Sequence, residues 1–259
     1  MNEDMRMPGF CDLHVHTHRS DALSIWSPEK VLLRARNMGI THVALSDHNM
    51  LNEDWRRQSE KYDMDVISST EMSTELIVDG EKFEAHIVGF RIDPFAEPIR
   101  RIAAKHQQNR DRYLNAMLDG LRADPYDPID ISYEELKAKN PHSHHIGRVA
   151  IGEIIIERGK AKDMREVYEH RLGRESGAPS YVDSRDFLKY ESVETVVNAI
   201  IESGGLPIVA HPPYNMSDKA ERILLETVRE MAGPLACMET EYGDYPKAEV
   251  ERLKRLAKY

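Results

Sequence analysis

The sequence predicts an α/β fold, either an α/β barrel or a doubly wound sheet, with a helical segment inserted into it. Short apolar strands alternate with helices between Phe10 and Phe90, and the alternation resumes at Val193. Strand–helix–strand alternation of this kind favours parallel strand pairing. The stretch between the two regions is charged and rich in predicted helix, and 259 residues suffice for one large domain with an insertion.

The first region carries clear start and stop signals for its elements. Ser27 is a suitable N-cap for a helix with Pro28 in its first position, and Gly39 ends that helix. Asp79-Gly80 is the dipeptide typical of a two-residue hairpin turn. The predicted strands are Phe10–His14, Thr41–Ser46, Asp65–Ser69, Glu75–Val78 and Lys82–Phe90, and the predicted helices are Pro28–Asn37 and Asp54–Tyr62.

Residues 97–179 are predicted to form an inserted helical cap subdomain, and residues 1–96 and 180–259 the main domain. The predicted cap helices are Pro98–Arg122, Tyr133–Lys139, Ile146–Arg158 and Met164–Leu172. After the cap we predict helices Val193–Glu202, Lys219–Met231 and Ala248–Lys258 and strands Leu206–Ala210 and Leu235–Thr240. The sequence stops where a parallel fold would supply another strand, so we expect the last strand to be missing and an edge to be exposed.

Charge and composition exclude several classes of protein. A net charge of −10 disfavours a protein that holds long nucleic acid by its phosphates, because that task calls for a basic face. The sequence has no run of about 18 apolar residues and no apolar signal segment near its start, so we expect neither a membrane span nor secretion. Two cysteines far apart in sequence, Cys11 and Cys237, favour a reducing cytoplasm.

The first chemical signal is the His14-x-His16 pair at the end of the first predicted strand. Residues two apart in a strand project to the same face, so the two imidazoles should point to one place. The carboxyl ends of the strands are also where α/β folds place their active sites. Asp21 offers a hard oxygen ligand from the loop that follows.

A histidine or carboxylate recurs at the other strand ends, which solvated surface residues would not be expected to do. The recurring residues are His48, Glu71, His86 and His211. Imidazole and carboxylate ligands together suit Zn²⁺, Mn²⁺ or Fe²⁺. Glu71 is suited to bridge two ions, and we expect Glu71 and His48 to take part in catalysis. His42 opens a strand at its other end and is interpreted as structural. Glu239 and Glu241 close a strand and could approach the metals, although a solvated strand end is the slightly favoured interpretation.

The segments DLHVHTHRSD, ALSDHN, SSTEMS, EAHIVGF, HHIGR and LPIVAHP, in this order over roughly 200 residues, resemble the polymerase and histidinol phosphatase (PHP) family. The resemblance implies a distorted (β/α)₇ barrel similar to a TIM barrel, a centre of two or three divalent metal ions (Mn, Zn or Fe), and phosphoester hydrolysis. The ligands that it implies are His14, His16, Asp21, His48, Glu71, His86 and His211. The family usually ends with a Gly-Ser-Asp-x-His segment that supplies two more ligands. This sequence lacks that segment, so we expect an incomplete centre and little activity.

The predicted substrate is a small phosphate ester, such as a nucleotide, a nucleoside bisphosphate or a sugar phosphate, and neither long nucleic acid nor a membrane is expected as a partner. The segment around His145 and Arg148 opens a helix, and a helix N-terminus beside an arginine is a ready anion site. By resemblance, His145 and Arg148 face the substrate phosphate, and Arg110 is a weaker candidate.

Two other functions remain open at this point. A metal-dependent C–N bond hydrolase of the amidohydrolase type would use similar ligands but would have less use for Arg148 and Arg110. A non-catalytic metal-binding module that assists a partner protein is slightly favoured by the missing last strand.

Overall fold

The chain folds into a mixed α/β structure, seen here in a computed structural model that describes residues 10–20, 26–141, 143, 146–212, 216–243 and 245–258. The strands are β1 (Phe10–Val15), β2 (Ile40–Leu45), β3 (Asp65–Ile67), β4 (Ser69–Val78), β5 (Glu81–Phe90), β6 (Glu191–Ser192), β7 (Leu206–Val209) and β8 (Cys237–Met238). The α-helices are α1 (Pro28–Asn37), α2 (Trp55–Tyr62), α3 (Glu97–Arg122), α4 (Tyr133–Lys139), α5 (Arg148–Glu157), α6 (Met164–Val167), α7 (Ser184–Phe187), α8 (Val193–Glu202), α9 (Asp218–Ala232) and α10 (Lys247–Leu256).

A three-stranded parallel sheet in the order β1-β2-β3 begins the fold. The alternation of strands and helices predicted this parallel pairing, and α1 and α2 are the connections that such pairing requires. Leu32 of α1 packs against Val43 and Leu45 of β2 in a buried cluster that also contains Tyr62 of α2. This packing holds α1 and α2 against β2.

A five-stranded mixed sheet in the order β6-β4-β5-β7-β8 follows. β4 and β5, of ten residues each, form an antiparallel hairpin. Its turn residues, Asp79 and Gly80, have φ values of 53° and 83°. The Asp-Gly signal predicted this turn, because both central residues of such a turn need positive φ. β5 also pairs antiparallel with β7, whereas β7 and β8 are parallel, so the expectation of parallel pairing is correct only in part.

Backbone contacts at the start of β4 join the two sheets. Only Ser68 separates β3 from β4, and His48, just beyond β2, forms an isolated parallel bridge with Glu71 of β4. The Asn49 amide donates to the Glu71 carbonyl at 2.7 Å, and the Glu71 amide donates to the Asp47 carbonyl at 3.3 Å. The end of β2 is therefore held directly beside the beginning of β4.

The chain divides into two compact units. The first unit comprises residues 1–16, 28–103 and 190–259, and the second comprises residues 17–27 and 104–189. In the first unit, Val197 and Ile200 of α8 and Leu224 of α9 share a buried cluster with Met72 and Ile87 of the hairpin. That cluster covers one face of the mixed sheet.

The second unit has a hydrophobic core of its own, formed by α3, α4 and α5. Leu118, Leu136 and Ile151 are fully or almost fully buried in it. Arg171 donates to Asp124 at 2.7 Å and to Asp127 at 2.5 Å, which ties the turn after α3 to the later part of the unit. The assignment of residues 97–179 as an inserted cap, and of the rest as the main domain, stays a prediction.

The strand predicted at Glu75–Val78 begins six residues earlier, at Ser69, and two further predicted elements differ from the structure for local reasons. The helix predicted at Met164–Leu172 is α-helical only to Val167 and continues as a π-helical turn, in which the Gly173 amide donates to the Tyr168 carbonyl. The strand predicted at Leu235–Thr240 begins instead as the 3-10 turn Gly233–Leu235, and β8 has only two residues. Pro234 lies in that turn and has no amide hydrogen to donate to a sheet.

The barrel that the PHP resemblance implies, with seven strands closed into a ring, stays a prediction beyond this α/β architecture. Among the helices of the described segments, none combines the length and apolar character that crossing a membrane requires.

Candidate metal centre

The carboxylate of Glu71, near the start of β4, is fully buried and surrounded by imidazoles. On one side, Oε2 lies 2.8 Å from His48 Nδ1, 3.2 Å from His16 Nε2 and 3.3 Å from His14 Nε2. The structure therefore brings together four of the residues predicted as metal ligands.

Two more predicted ligands approach the other oxygen of the same carboxylate. Glu71 Oε1 lies 2.9 Å from His211 Nε2 and 3.0 Å from His86 Nδ1. His86 and His211 are themselves neighbours, with ring centroids 5.1 Å apart. Residues from four strand segments thus converge on Glu71.

The backbone explains why His14, His16 and His48 meet. His14 is in β1 and His16 follows its end, so both project from the same face, and their ring centroids are 5.0 Å apart. His48 follows β2, the parallel neighbour of β1, and its ring stacks on His16 at 4.3 Å. Parallel neighbours end at the same edge of a sheet, which brings the three rings together.

His86 and Glu71 reach the site in a way that the sequence interpretation missed. We expected both at strand ends, but Glu71 is the third residue of β4 and His86 lies in the middle of β5. Because β5 is antiparallel to β4, His86 is paired with Ser73, only two residues beyond Glu71. The hairpin register, rather than a strand end, places this imidazole.

Glu239 is a site residue for which the sequence left two interpretations open, a residue near the metals and the slightly favoured solvated strand end. Its Oε1 lies 2.6 Å from His14 Nδ1, and its Oε2 accepts a hydrogen bond from the His211 amide at 2.8 Å. The interpretation as a solvated end is wrong because β8 pairs with β7, and the strand preceding His211 therefore lies directly beside Glu239. The signal available in the sequence was an acidic residue directly after an apolar strand.

A second outer carboxylate contacts His86. Glu84 Oε1 lies 3.2 Å from His86 Nε2, while the other ring nitrogen faces Glu71. Glu84 and His86 are two residues apart in β5 and so share one face of the strand. His14 and His86 therefore each lie between Glu71 and an outer carboxylate.

The protonation of the cluster follows from these contacts. Burial alone would raise the pKa of Glu71, but the surrounding imidazoles hold it well below its usual value. Burial would lower the pKa of His14, yet contacts with Glu239 and Glu71 outweigh it and raise that pKa to about 10. For His86 the contacts with Glu71 and Glu84 outweigh burial and raise the pKa to about 9. Without a metal ion, protons on these rings balance the buried carboxylate.

The ligand atoms fit divalent ions. Ligand atoms of His14, His16 and Glu71 lie within 4.8 Å of one another, and so do those of His48, Glu71 and His86. Within the described part of the chain, His14 Nε2 and Glu71 Oε2 are buried, and the close contacts of these two atoms lack hydrogen-bond geometry. A buried polar atom without a partner is costly, and a shared cation would satisfy both atoms. Because Glu71 belongs to both groups, its two oxygens can serve two ions.

The centre opens into a cavity of about 650 Å³. Its wall includes Asp12, Leu13, Tyr242 and the metal-centre residues. The Tyr242 ring is half exposed and meets the His211 ring edge-on, with centroids 5.6 Å apart. A cavity of this size accommodates a small molecule beside the imidazoles.

The predicted substrate residues lie in the second unit. Arg148 is at the start of α5, 5.6 Å from the ring centres of both Tyr113 and Tyr181, and donates to the Val182 carbonyl at 2.9 Å. Among the described residues its Nε has no hydrogen-bond partner although it is buried. The charges of Arg148 and Arg110 both act on Tyr113, so the two arginines are close to one ring.

Two predicted site residues, the metal ligand Asp21 and the substrate residue His145, lie outside the described residues. His42, interpreted as structural, is half exposed, and its imidazole lies 3.9 Å from Asp65.

No protein-family model matches the chain. Curated relatives do match: the chain is 29% identical over 215 residues to the 5'-3' exoribonuclease Rnm of Salmonella typhimurium, which covers 80% of this chain and 67% of that protein. It is 27% identical over 223 residues to the 3',5'-nucleoside bisphosphate phosphatase of Chromobacterium violaceum, which covers 83% and 72%. The chain is thus similar in sequence to relatives of the PHP type that its motifs resemble.

Solved structures share the fold of this chain. A metal-dependent phosphoesterase from Bifidobacterium adolescentis superposes with a TM-score of 0.71 at 22% identity, over 97% of this chain and 84% of that one. An amidohydrolase from Chromobacterium violaceum with bound sulfate gives 0.67 at 24% identity, over 94% and 81%. By their names the curated relatives are an exoribonuclease and a phosphatase, and the likeness to the two solved structures shows the fold.

Proposed function

We propose that this chain hydrolyses a small phosphate ester at a centre of two or three divalent metal ions. The observation that carries the proposal is the convergence of five imidazoles on the fully buried carboxylate of Glu71. A buried carboxylate surrounded by imidazoles is suited to cations rather than to an apolar ligand.

The proposed ligands are those that the sequence predicted, with Glu71 bridging two ions. They are His14, His16, Asp21, His48, Glu71, His86 and His211. The mixture of imidazole and carboxylate, without thiolate, suits Mn²⁺, Zn²⁺ or Fe²⁺. Bound divalent ions supply positive charge for the phosphate oxygens and make an attacking water more acidic.

The residues of the chain have separate tasks in this proposal. Glu71 stays ionised at neutral pH because the surrounding imidazoles hold its pKa low, and it therefore offers two charged oxygens. His48 Nδ1 lies 2.8 Å from Glu71 Oε2, and we assign both residues to the catalytic group. Arg148, with Arg110 and His145, is proposed to hold the phosphate of the substrate, because guanidinium binds phosphate oxygens in pairs.

The proposed substrate class is a nucleotide, a nucleoside bisphosphate or a sugar phosphate. The net charge of −10 disfavours tracking along a polymer of phosphates. One relative is a phosphatase of 3',5'-nucleoside bisphosphates, which supports a small substrate, whereas the Rnm relative is an exoribonuclease. A short RNA therefore belongs in the test beside the small phosphates.

The wider architecture of the proposal follows the PHP resemblance. We propose that the two sheets belong to one distorted (β/α)₇ barrel and that residues 97–179 cap it. The isolated bridge between His48 and Glu71 supports a single barrel wall, since it connects the two sheets. Exposed, unpaired cysteines at Cys11 and Cys237 support a cytoplasmic protein.

The test uses the full chain, stripped of metal with a chelator and then supplied with Mn²⁺, Zn²⁺ or Fe²⁺. Phosphate release is measured from a nucleoside 3',5'-bisphosphate, a sugar phosphate, 4-nitrophenyl phosphate and a short 5'-phosphorylated RNA. We expect slow metal-dependent release from a small ester, since two of the ligands usual in the PHP family lie outside this sequence, and loss of that release in His16→Ala. His42→Ala removes an imidazole outside the centre and serves as the matched control, with turnover expected to be unchanged.

Other outcomes would replace the proposal. Cleavage of amide substrates without phosphate release would indicate a C–N bond hydrolase. Bound metal without turnover of any substrate would indicate a non-catalytic module. Turnover of the RNA alone would place this chain with the exoribonucleases.

A further inference from the structure

We propose that Glu239 is a positioning residue that holds two metal-binding histidines, His14 and His211, in the orientation that binding requires. The inference rests on the proposed metal centre and assigns a task to a residue outside its ligand set. Glu239 contacts the centre only through these two residues in the contacts that the structure describes.

The contact with His14 selects one end of its ring for the metal. Nδ1 lies 2.6 Å from Glu239 Oε1, which is a short, charge-assisted distance. The opposite nitrogen, Nε2, faces Glu71 Oε2 at 3.3 Å. With the proton held on Nδ1 by the outer carboxylate, the lone pair of Nε2 points to the centre.

The contact with His211 acts on the backbone. His211 has a φ of 30°, which is unusual for a residue with a side chain. Its amide donates to Glu239 Oε2 at 2.8 Å, and its Nε2 lies 2.9 Å from Glu71 Oε1. The hydrogen bond therefore stabilises the local conformation that turns the His211 ring toward Glu71.

Strand pairing delivers Glu239 to this place. Val209 pairs with Met238, and the Glu239 amide then donates to the Val209 carbonyl at 2.9 Å. That bond extends the contact of β8 with β7 by one residue, Glu239. Glu239 is thus fixed beside the segment that leads into His211, and its side chain is 17% exposed.

The chemistry of the two contacts calls for a carboxylate. Both partners are donors when His14 binds metal through Nε2, because Nδ1 then carries a proton and the His211 amide always does. A glutamine has one acceptor oxygen and would present its NH₂ group to the other donor. Glu239→Gln therefore breaks one contact while it preserves the size of the side chain, and Glu239→Asp keeps both acceptors on a shorter arm.

The experiment is a titration of the metal-free full-length protein with Co²⁺, followed by calorimetry and by the visible absorption of the bound ion. The variants are Glu239→Gln and Glu239→Asp, and Glu251→Gln on the exposed face of α10 is the control with the same change of charge. We expect Glu239→Gln to weaken Co²⁺ binding by about 10- to 100-fold, as loss of outer-shell partners does. The absorption spectrum at saturation should also change, and Glu239→Asp should recover part of the affinity.

Wild-type affinity together with a wild-type spectrum in Glu239→Gln would overturn the inference and leave the metal centre standing. A lower unfolding temperature in Glu239→Gln with an unchanged Co²⁺ spectrum and affinity would also overturn it, because Glu239 would then be only structural. Failure of the wild-type protein itself to bind Co²⁺, Mn²⁺ or Zn²⁺ would overturn the proposed function together with this inference.

Discussion

His48 Nδ1 lies 2.8 Å from Glu71 Oε2, and the backbones of the same two residues form a parallel bridge. One pair of residues thus connects the two sheets, and each of the two side chains contributes a ligand group to the candidate metal centre. Side-chain geometry at this point is consequently tied to strand pairing, which makes the centre sensitive to changes in Glu71.

Glu71→Gln is expected to abolish metal binding, with a loss of affinity of more than about 100-fold, since losing a ligand should exceed the effect of losing an outer-shell partner. The amide keeps the shape of the side chain but removes the charge on which the five imidazoles converge. The measurement is metal content by elemental analysis after dialysis against Mn²⁺. The control is Glu75→Gln, which makes the same chemical change on the same strand and should retain metal. Equal metal content in Glu71→Gln and the wild type would remove Glu71 from the ligand set.

The metal-free protein is expected to lose stability as the pH rises from about 6.5 to 10. His14 and His86 have folded-state pKa values of about 10 and about 9, above the unfolded value of 6.5. A histidine whose pKa is higher in the folded state contributes stability. The contribution is complete at pH values below the unfolded-state pKa and disappears as the pH rises through the folded-state pKa. Thermal unfolding in the presence of a chelator at several pH values measures the effect, and a constant unfolding temperature across this range would contradict it.

Metal binding at pH 7 is expected to release about two protons, one each from His14 and His86, because an imidazole must be deprotonated to bind a metal. Calorimetry in two buffers with different ionisation enthalpies counts the protons. The affinity should accordingly increase with pH over the neutral range. Binding that shows the same heat in both buffers would mean that these rings are already neutral.

Arg148→Ala is expected to raise KM for a small phosphate ester and to weaken inhibition by free phosphate, each by about 10-fold or more, since a hydrogen bond to a charged group contributes about 1.5–3 kcal/mol. Metal content should stay the same, because Arg148 lies in the second unit, whereas the proposed ligands that the structure describes lie in the first. Arg165→Ala, which removes an exposed arginine of the same unit, is the matched control. Unchanged phosphate inhibition would weaken the case for phosphate chemistry.

Local sequence signals predicted much of the fold. The helices Pro28–Asn37, Tyr133–Lys139 and Val193–Glu202 have the predicted bounds, and the Asp79-Gly80 turn forms as predicted. Caps, breakers and turn residues act within a few positions, so they can be recognised in a single sequence. The antiparallel pairing of β5 with β7 depends on contacts across more than a hundred residues and has no local signal.

The candidate centre shows the same division. The His-x-His spacing and the recurrence of His and Glu near strands predicted which side chains would meet, and the structure brings His14, His16, His48 and Glu71 together. The part played by Glu239 depends on the register of β7 with β8, which sequence spacing does not specify. A short strand that follows a proline-containing turn gave too weak a pattern to define that register.

The contact between His14 and Glu239 joins residues 225 positions apart. During synthesis, the ribosome must therefore release the chain at least as far as Glu239 before the proposed outer support of His14 can form. Shorter nascent chains already contain the His-x-His pair, but at most they would hold cations loosely. Tight retention of metal would thus mark chains in which β8 has paired with β7. A protease cut between α9 and β8 should release the ions even where the β4–β5 hairpin stays folded.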